Sequence, residues 1–226
     1  MLNIAIDGPA GAGKSTIAKG VAQRLHILYL DTGAMYRAMA LKALRCGVAP
    51  TDAEAVPPLL ATTEIFAKNV EGVQHTYLDG EDVSGLIRTQ EISKAASDIS
   101  AIPAVRIKLA EAQREVARLS DVVMDGREIG SYVLPKAPHK FFVSASVEER
   151  AARRLHELRS RGEYIEKTLP DVMDEIALRD HNDSTRAFAP LLRVPDAIYI
   201  DTTFMTIEQA IDAVLSRLPN QTEAKE

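Results

Sequence analysis

Nine residues near the start of the chain, GPAGAGKST from Gly8 to Thr16, limit what it can fold into more than any other stretch. Gly8, four intervening residues and then Gly13-Lys14-Ser15 match the spacing of a Walker A phosphate loop. That loop needs a strand before it and a helix after it, and the flanks supply the apolar run LNIAI and the helix-like stretch IAKGVAQRL. Gly8, Gly11 and Gly13 permit the positive-φ turns and close backbone approach that let successive N–H groups converge on an anion. The helix that follows adds the positive end of its dipole. Lys14 is expected to reach the β- and γ-phosphates of a nucleotide, and the Ser15 hydroxyl to ligate Mg²⁺. The competing reading is a flexible Gly-rich turn carrying a solvated lysine, which the strand and helix on either side argue against.

A loop of this kind belongs in an α/β fold, and the rest of the chain agrees. Apolar runs alternate with helical patterns, the signature of a parallel sheet with helices on both faces. The predicted core strands are 2–6, 27–30, 122–124, 140–145 and 197–200, and 226 residues with 46% hydrophobic content can bury such a core as a single domain. Four of the runs are followed by polar residues: Asp7, Asp31-Thr32-Gly33, Asp125-Gly126-Arg127 and Asp201-Thr202. Ligands of open α/β sheets bind beyond the carboxyl ends of strands, so these tips are expected to line one site.

Between Pro57 and Pro103 the pattern changes to short β-type segments separated by Glu71-Gly72 and Asp79-Gly80, both suited to tight hairpin turns. This predicts a small antiparallel insert, over about residues 62–100. The tail after Pro219 is expected to fray. A net charge of −5 disfavours nucleic acid or an anionic membrane as the main partner. The single cysteine, Cys46, cannot form an intrachain disulfide and is expected to be a packed thiol in a reducing compartment. Neither a leader-like amino terminus nor an apolar stretch near 18 residues is apparent, so a soluble cytoplasmic protein is expected.

Arginines are the second signal. VEERAARRLHELRSRGE reads as a helix with Arg150, Arg153 and Arg154 at i, i+3 and i+4, hence on one face. LRDHNDSTRAFAPL adds Arg179, Asp183 and Arg186. Exposed helix arginines usually make weak salt bridges with neighbours. Beside a phosphate loop they gain a second use, because phosphoryl transfer needs cations along the path of the migrating group.

Taken in order and spacing, GPAGAGKST, DTGAMYR, SDISAIPAVR, DGREIG, VEERAARR and RDHNDSTRAFAPL resemble the bacterial-type cytidylate kinases of the nucleoside monophosphate kinase family, from about residue 3 to 215. The resemblance implies a P-loop kinase domain in three parts: a core (1–31, 104–149, 170–226) around a five-stranded parallel sheet, a monophosphate-binding part with the insert (32–103) and a short lid (about 150–169). It implies a monomer that uses Mg²⁺ and ATP to phosphorylate CMP or dCMP. Residue by residue, Gly8, Pro9, Ala10, Gly11, Ala12, Gly13, Lys14, Ser15 and Thr16 match the ATP-binding loop. Thr32 and Tyr36 fall among the substrate-binding positions. Arg37, Arg127 and Arg186 match arginines that hold the acceptor phosphate, and Arg179 and Asp183 match ribose positions. Ser97, Arg106 and Glu128 match positions that read cytosine, and Arg150, Arg153 and Arg154 match the lid. Where the family usually has Asp after the DGR arginine this chain has Glu128, so its carboxylate reaches one methylene further.

The acceptor implied is a phosphate monoester with a second pKa near 6, already largely ionised at neutral pH, so no general base is required. His26, His75, His139, His156 and His181 accordingly sit in no recognisable triad. Two alternatives differ in testable ways. A kinase for another monophosphate or small metabolite would fold the insert away from the site. A GTPase-type switch is suggested by Asp82-Val83-Ser84-Gly85, which fits a D-x-x-G pattern, but the chain has no N-K-x-D motif.

Overall fold

A computed structural model describes residues 1–70, 72–160, 162–164 and 166–219. In β1 (Asn3–Asp7), Ile4 and Ile6 join one apolar cluster and Ala5 joins another, as the two-residue period of a strand dictates. The sheet therefore has two buried faces. It contains five parallel strands in the order β2, β6, β1, β7, β8, where β2 is Leu28–Asp31, β6 Val122–Gly126, β7 His139–Ser144 and β8 Ile198–Asp201.

One face packs on α1 (Lys14–Leu25) and α8 (Ile207–Leu215), with Ile17, Ala18, Val21, Ile211 and Val214 buried against Val123, Phe141 and Val143. The other packs on α2 (Thr32–Arg45) and α5 (Pro103–Leu119). Full burial of each such aliphatic side chain is worth about 1.5–3 kcal/mol.

All five predicted strands form, and four run one or two residues further than the apolar runs suggest. The acids expected just beyond the strands are themselves paired: Asp7 lies opposite Gly126, and Asp31 opposite Asp125. Backbone pairing continues past the apolar run because it needs no particular side chain.

After a short helix α3 (Val56–Leu60), the insert begins as an antiparallel sheet of β3 (Ile65–Val70), β4 (Val73–Leu78) and β5 (Glu81–Asp82). Asp79 and Gly80 both have positive φ, 50° and 86°, as a two-residue type I′ hairpin turn requires. In the other expected turn Glu71 lies outside the described residues, as does the tail from residue 220.

The antiparallel part ends at Asp82, well before residue 100. Leu86–Arg88 form a 3₁₀ turn and Gln90–Ile99 form α4, whose Ile92, Ala95, Ala96 and Ile99 recur at helical spacing and are buried. Thr89 caps α4, its Oγ1 accepting from the Ile92 N–H at 3.3 Å. The insert is clamped to the sheet edge by Gln74 on β4, whose Oε1 accepts from the Asp31 N–H at 2.6 Å while its Nε2 donates to the Asp31 carbonyl at 3.3 Å.

An α-hairpin of α6 (Val147–Ser160) and α7 (Leu169–Thr185) closes the other side, with Ala151 and Leu155 packed on Val172 and Ile176. Cys46 is exposed rather than packed. It is the C-cap of α2, one position past the last helical turn, where the side chain leaves the buried stripe. Among the described residues no helix is long and apolar enough to cross a membrane.

Candidate active site

The loop between β1 and α1 has the backbone its glycines suggest, with φ of 148° at Gly8, 75° at Gly11 and 82° at Gly13. A Cβ on Gly8 would lie 1.9 Å from the Val143 carbonyl oxygen, and one on Gly11 would lie 2.9 Å from that of Arg150. Gly13 is the N-cap of α1 and offers no side-chain acceptor, so the first-turn N–H groups stay available to an anion. Pro9 and Ala12 are buried, Ser15 and Thr16 exposed.

Lys14 is 5% exposed and its ammonium donates to the Pro9 carbonyl at 2.6 Å. Burial, with the Arg127 guanidinium beside it, pushes this ammonium well below the ordinary lysine range. A bound polyanion is the partner that would restore its charge.

The Ser15 hydroxyl donates to Asp125 Oδ2 at 2.7 Å, and the Tyr29 hydroxyl donates to Asp125 Oδ1 at 2.8 Å. Burial and the nearby Asp31 raise the Asp125 carboxyl. A hydroxyl and a buried carboxylate held together at a phosphate loop form a hard oxygen donor set, which fits Mg²⁺. The sequence assigns Ser15 to the metal and Asp125 only to the strand tips that line the site. The signal was present, since Asp125 ends the apolar run VVM.

Sites read separately from the sequence form one chain of charges. Arg106 pairs with Glu128 Oε1 at 2.5 Å, and Arg186 pairs with Glu128 Oε2 and with Asp183 at 3.2 Å each. Asp183 in turn accepts from Arg127 Nε at 3.0 Å. The Tyr36 hydroxyl donates to Glu128 Oε1 at 2.8 Å, and the Arg106 guanidinium lies over the Tyr36 ring. Despite burial, which works against ionisation, Arg127, Arg179 and Arg186 hold the Asp183 carboxyl below its usual range.

α4 reaches this cluster through the Ser100 carbonyl, which accepts from Arg106 Nε at 2.6 Å, and Ser97 is half-buried on the same helix. On the other side Arg37 and Arg88 both pair with Asp31. Arg88 carried no sequence signal. Thr32 is buried, and its hydroxyl donates to the Asp125 carbonyl at 2.7 Å.

Arg179 stands apart, because among the described residues it forms no ion pair and its buried Nε has no partner. Burial and the neighbouring Arg127 push its guanidinium down to about 10. Lys14, Arg127 and Arg179 thus repel one another, and of the two arginines only Arg127 has an ion-pair partner among the described residues, Asp183.

Arg150, Arg153 and Arg154 all lie on α6 at i, i+3 and i+4, and their guanidiniums go to different partners. Arg150 is 4% exposed, donates to the Ala145 and Ala10 carbonyls and pairs with Asp180 at 2.6 Å, bracing the phosphate loop from behind. Arg153 donates to the Thr202 carbonyl at 2.7 Å and to its hydroxyl at 3.1 Å, just past β8. Arg154 points towards the insert, donating to Gln90 Oε1 at 3.1 Å. Helical phase brought these side chains out on one side of α6, but flexible arginines then followed whichever acceptor lay within reach.

Asp7 supports the site from below. Its two oxygens accept from the Ile129 and Gly130 N–H groups at 2.8 and 2.7 Å, holding the π-helical turn Ile129–Val133 that follows Glu128. Burial raises its carboxyl to about 6.

Comparison with known proteins identifies the family. A sequence model of the family described as cytidylate kinase matches residues 4–220. The chain belongs to the cytidylate kinase family. Among relatives, a cytidylate kinase from Caldicellulosiruptor bescii is 49% identical over 214 residues, covering 95% of this chain and 94% of that protein. One from Symbiobacterium thermophilum is 49% identical over 215 residues with the same coverage. Among solved structures, an uncharacterized protein from Eubacterium ventriosum shares the fold at a TM-score of 0.51 and 12% identity, with 96% of this chain and 97% of that one covered.

Proposed function

We propose that this protein is a kinase that transfers the γ-phosphoryl group of ATP to CMP and dCMP, giving CDP and dCDP. Family membership supports the reaction, and the buried Lys14 ammonium beside the unpaired Arg179 is the observation that carries it. A phosphate group bound beside them would supply the missing negative charge.

In this reading residues 8–16 wrap the ATP phosphates, with Lys14 on the transferring group. Arg37, Arg127 and Arg186 hold the acceptor phosphate, and Arg179 and Asp183 lie along the ribose side. Because Arg179 lies within the electrostatic reach of Lys14 and Arg127, it is assigned to the phosphates as well. Arg153 and Arg154 act from the lid, and Arg150 acts as a brace of the loop. Ser15 and Asp125 would hold Mg²⁺, which when bound neutralises charge on the phosphates of ATP. Residues 32–103 form the acceptor part, about 150–169 the lid, and the remainder the core.

The acceptor oxygen is already ionised at neutral pH, so the chain aligns the two phosphates and stabilises their charge rather than removing a proton. Glu128, held by Tyr36 and Arg106, offers a carboxylate to the cytosine amino group, directly or through water, and repels the O4 that uracil has there. A coupled assay with ATP and a panel of nucleoside monophosphates tests this reading. CMP and dCMP should exceed UMP, AMP and GMP in kcat/KM by at least about tenfold. Equal or greater activity with any other monophosphate would replace the substrate assignment.

A further inference from the structure

One polar junction joins the insert to the α6–α7 hairpin, and no step above uses it. Gln90, the first residue of α4, accepts from Arg154 Nη2 at 3.1 Å through its amide oxygen. Its amide nitrogen donates to the Tyr164 hydroxyl at 2.6 Å. Tyr164 in turn donates to Glu175 Oε2 at 2.8 Å on α7, and Glu175 also pairs with Lys167. Both ends of one neutral side chain are thus occupied by groups 64 and 74 residues away in sequence. Tyr164 also has a φ of 58°, left-handed backbone that a tyrosine rarely adopts, so the contacts of its side chain help to hold it there.

Arg154 lies close enough to the site that its charge disfavours that of Arg179. It is only partly tied by its own helix, through Glu157 at 3.1 Å. Without Gln90 a long arginine on the face of α6 has many rotamers, and ordering it costs up to about 2 kcal/mol. Gln90 removes part of that cost before ATP arrives.

We propose that Gln90 is a positioning residue for phosphoryl transfer: carried by the acceptor part, it fixes the lid's Arg154 at the junction between insert and lid, so that the lid arginine is already ordered when nucleotide binds. This rests on the reading of the protein as a CMP kinase.

The test is a double-mutant cycle in the full chain, with CMP and ATP as substrates. Gln90→Ala should lower kcat by about tenfold, the loss expected for one hydrogen bond to a charged group, while KM for CMP stays within about twofold. Gln90→Glu still accepts from Arg154 but no longer donates to Tyr164, so it should retain more kcat than Gln90→Ala. Combined with Arg154→Ala, Gln90→Ala should add no further loss. Additive losses, an unchanged kcat in Gln90→Ala, or a Gln90→Glu variant as impaired as the alanine overturn the positioning role while the functional reading stands. Wild-type protein that does not phosphorylate CMP overturns both.

Discussion

Glu128→Gln tests the charge cluster most directly, because it keeps the shape of the side chain and removes its charge. Glu128 Oε1 accepts from both Arg106 and Tyr36, and Oε2 from Arg186. Arg106 is 2% exposed, so no water can take over from the lost anion, and in the variant two guanidiniums would face a neutral amide. Removing one partner of a buried ion pair costs about 3–5 kcal/mol. The glutamine oxygen can still accept from Arg106 or Tyr36, which places the expected loss near the lower limit, about 3 kcal/mol. For a chain of this size each kcal/mol moves Tm by about 2–4 °C, so the nucleotide-free variant should melt about 6–12 °C below wild type. The new amide N–H₂ can donate to the O4 of uracil, so the ratio of kcat/KM for CMP over UMP should fall by at least about tenfold. Calorimetry or dye-monitored unfolding reads the first effect and the coupled assay the second. A Tm within about 2 °C of wild type would refute the account of the buried cluster. An unchanged CMP-to-UMP ratio would remove Glu128 from base recognition and leave Ser97 and Arg106.

Other perturbations reach different parts of the site. Arg179→Met should abolish most activity yet raise the Tm of the nucleotide-free protein by up to about 6–12 °C, because it removes an unpaired guanidinium whose depression from 12.5 to about 10 costs at most about 3 kcal/mol; a lower Tm would contradict the unpaired charge. Burial raises the Asp7 carboxyl from 3.8 to about 6, so the native state takes up this proton before the unfolded chain does. Asp7 therefore adds about 3 kcal/mol of stability as pH falls from 6 to 4 and loses it as pH rises; in Asp7→Asn this part of the pH dependence, read by thermal unfolding at each pH, should disappear. Gly8→Ala should unfold the loop or the protein, since the added Cβ would sit 1.9 Å from the Val143 carbonyl, and a variant with wild-type Tm and turnover would contradict that packing. Lys14→Ala should keep the fold, judged by circular dichroism, and lose several orders of magnitude in turnover; more than about a tenth of wild-type rate would take Lys14 out of the mechanism.

The phosphate loop was fully legible because its function is written in backbone permission: three glycines at fixed spacing admit only a few conformations, and these are the ones observed at Gly8, Gly11 and Gly13. The five strands were legible from their apolar runs, and the Asp79-Gly80 turn from its residue types. These are local properties, decided within a few residues. The sequence by itself also carried the family resemblance, and with it the reaction. The helix α4 was hidden behind the hairpin chemistry preceding it, and the ends of the strands behind pairings that need no apolar side chain. Which partner each arginine takes was decided only by tertiary structure. Arg150, Arg153 and Arg154 share a helix face in sequence and reach three different elements in space, to Ala10, Thr202 and Gln90. The run of charges from Arg106 through Glu128, Arg186 and Asp183 to Arg127 joins groups up to 80 residues apart. A long charged side chain has several acceptors within reach of its rotamers, and only packing chooses among them by removing water from the others.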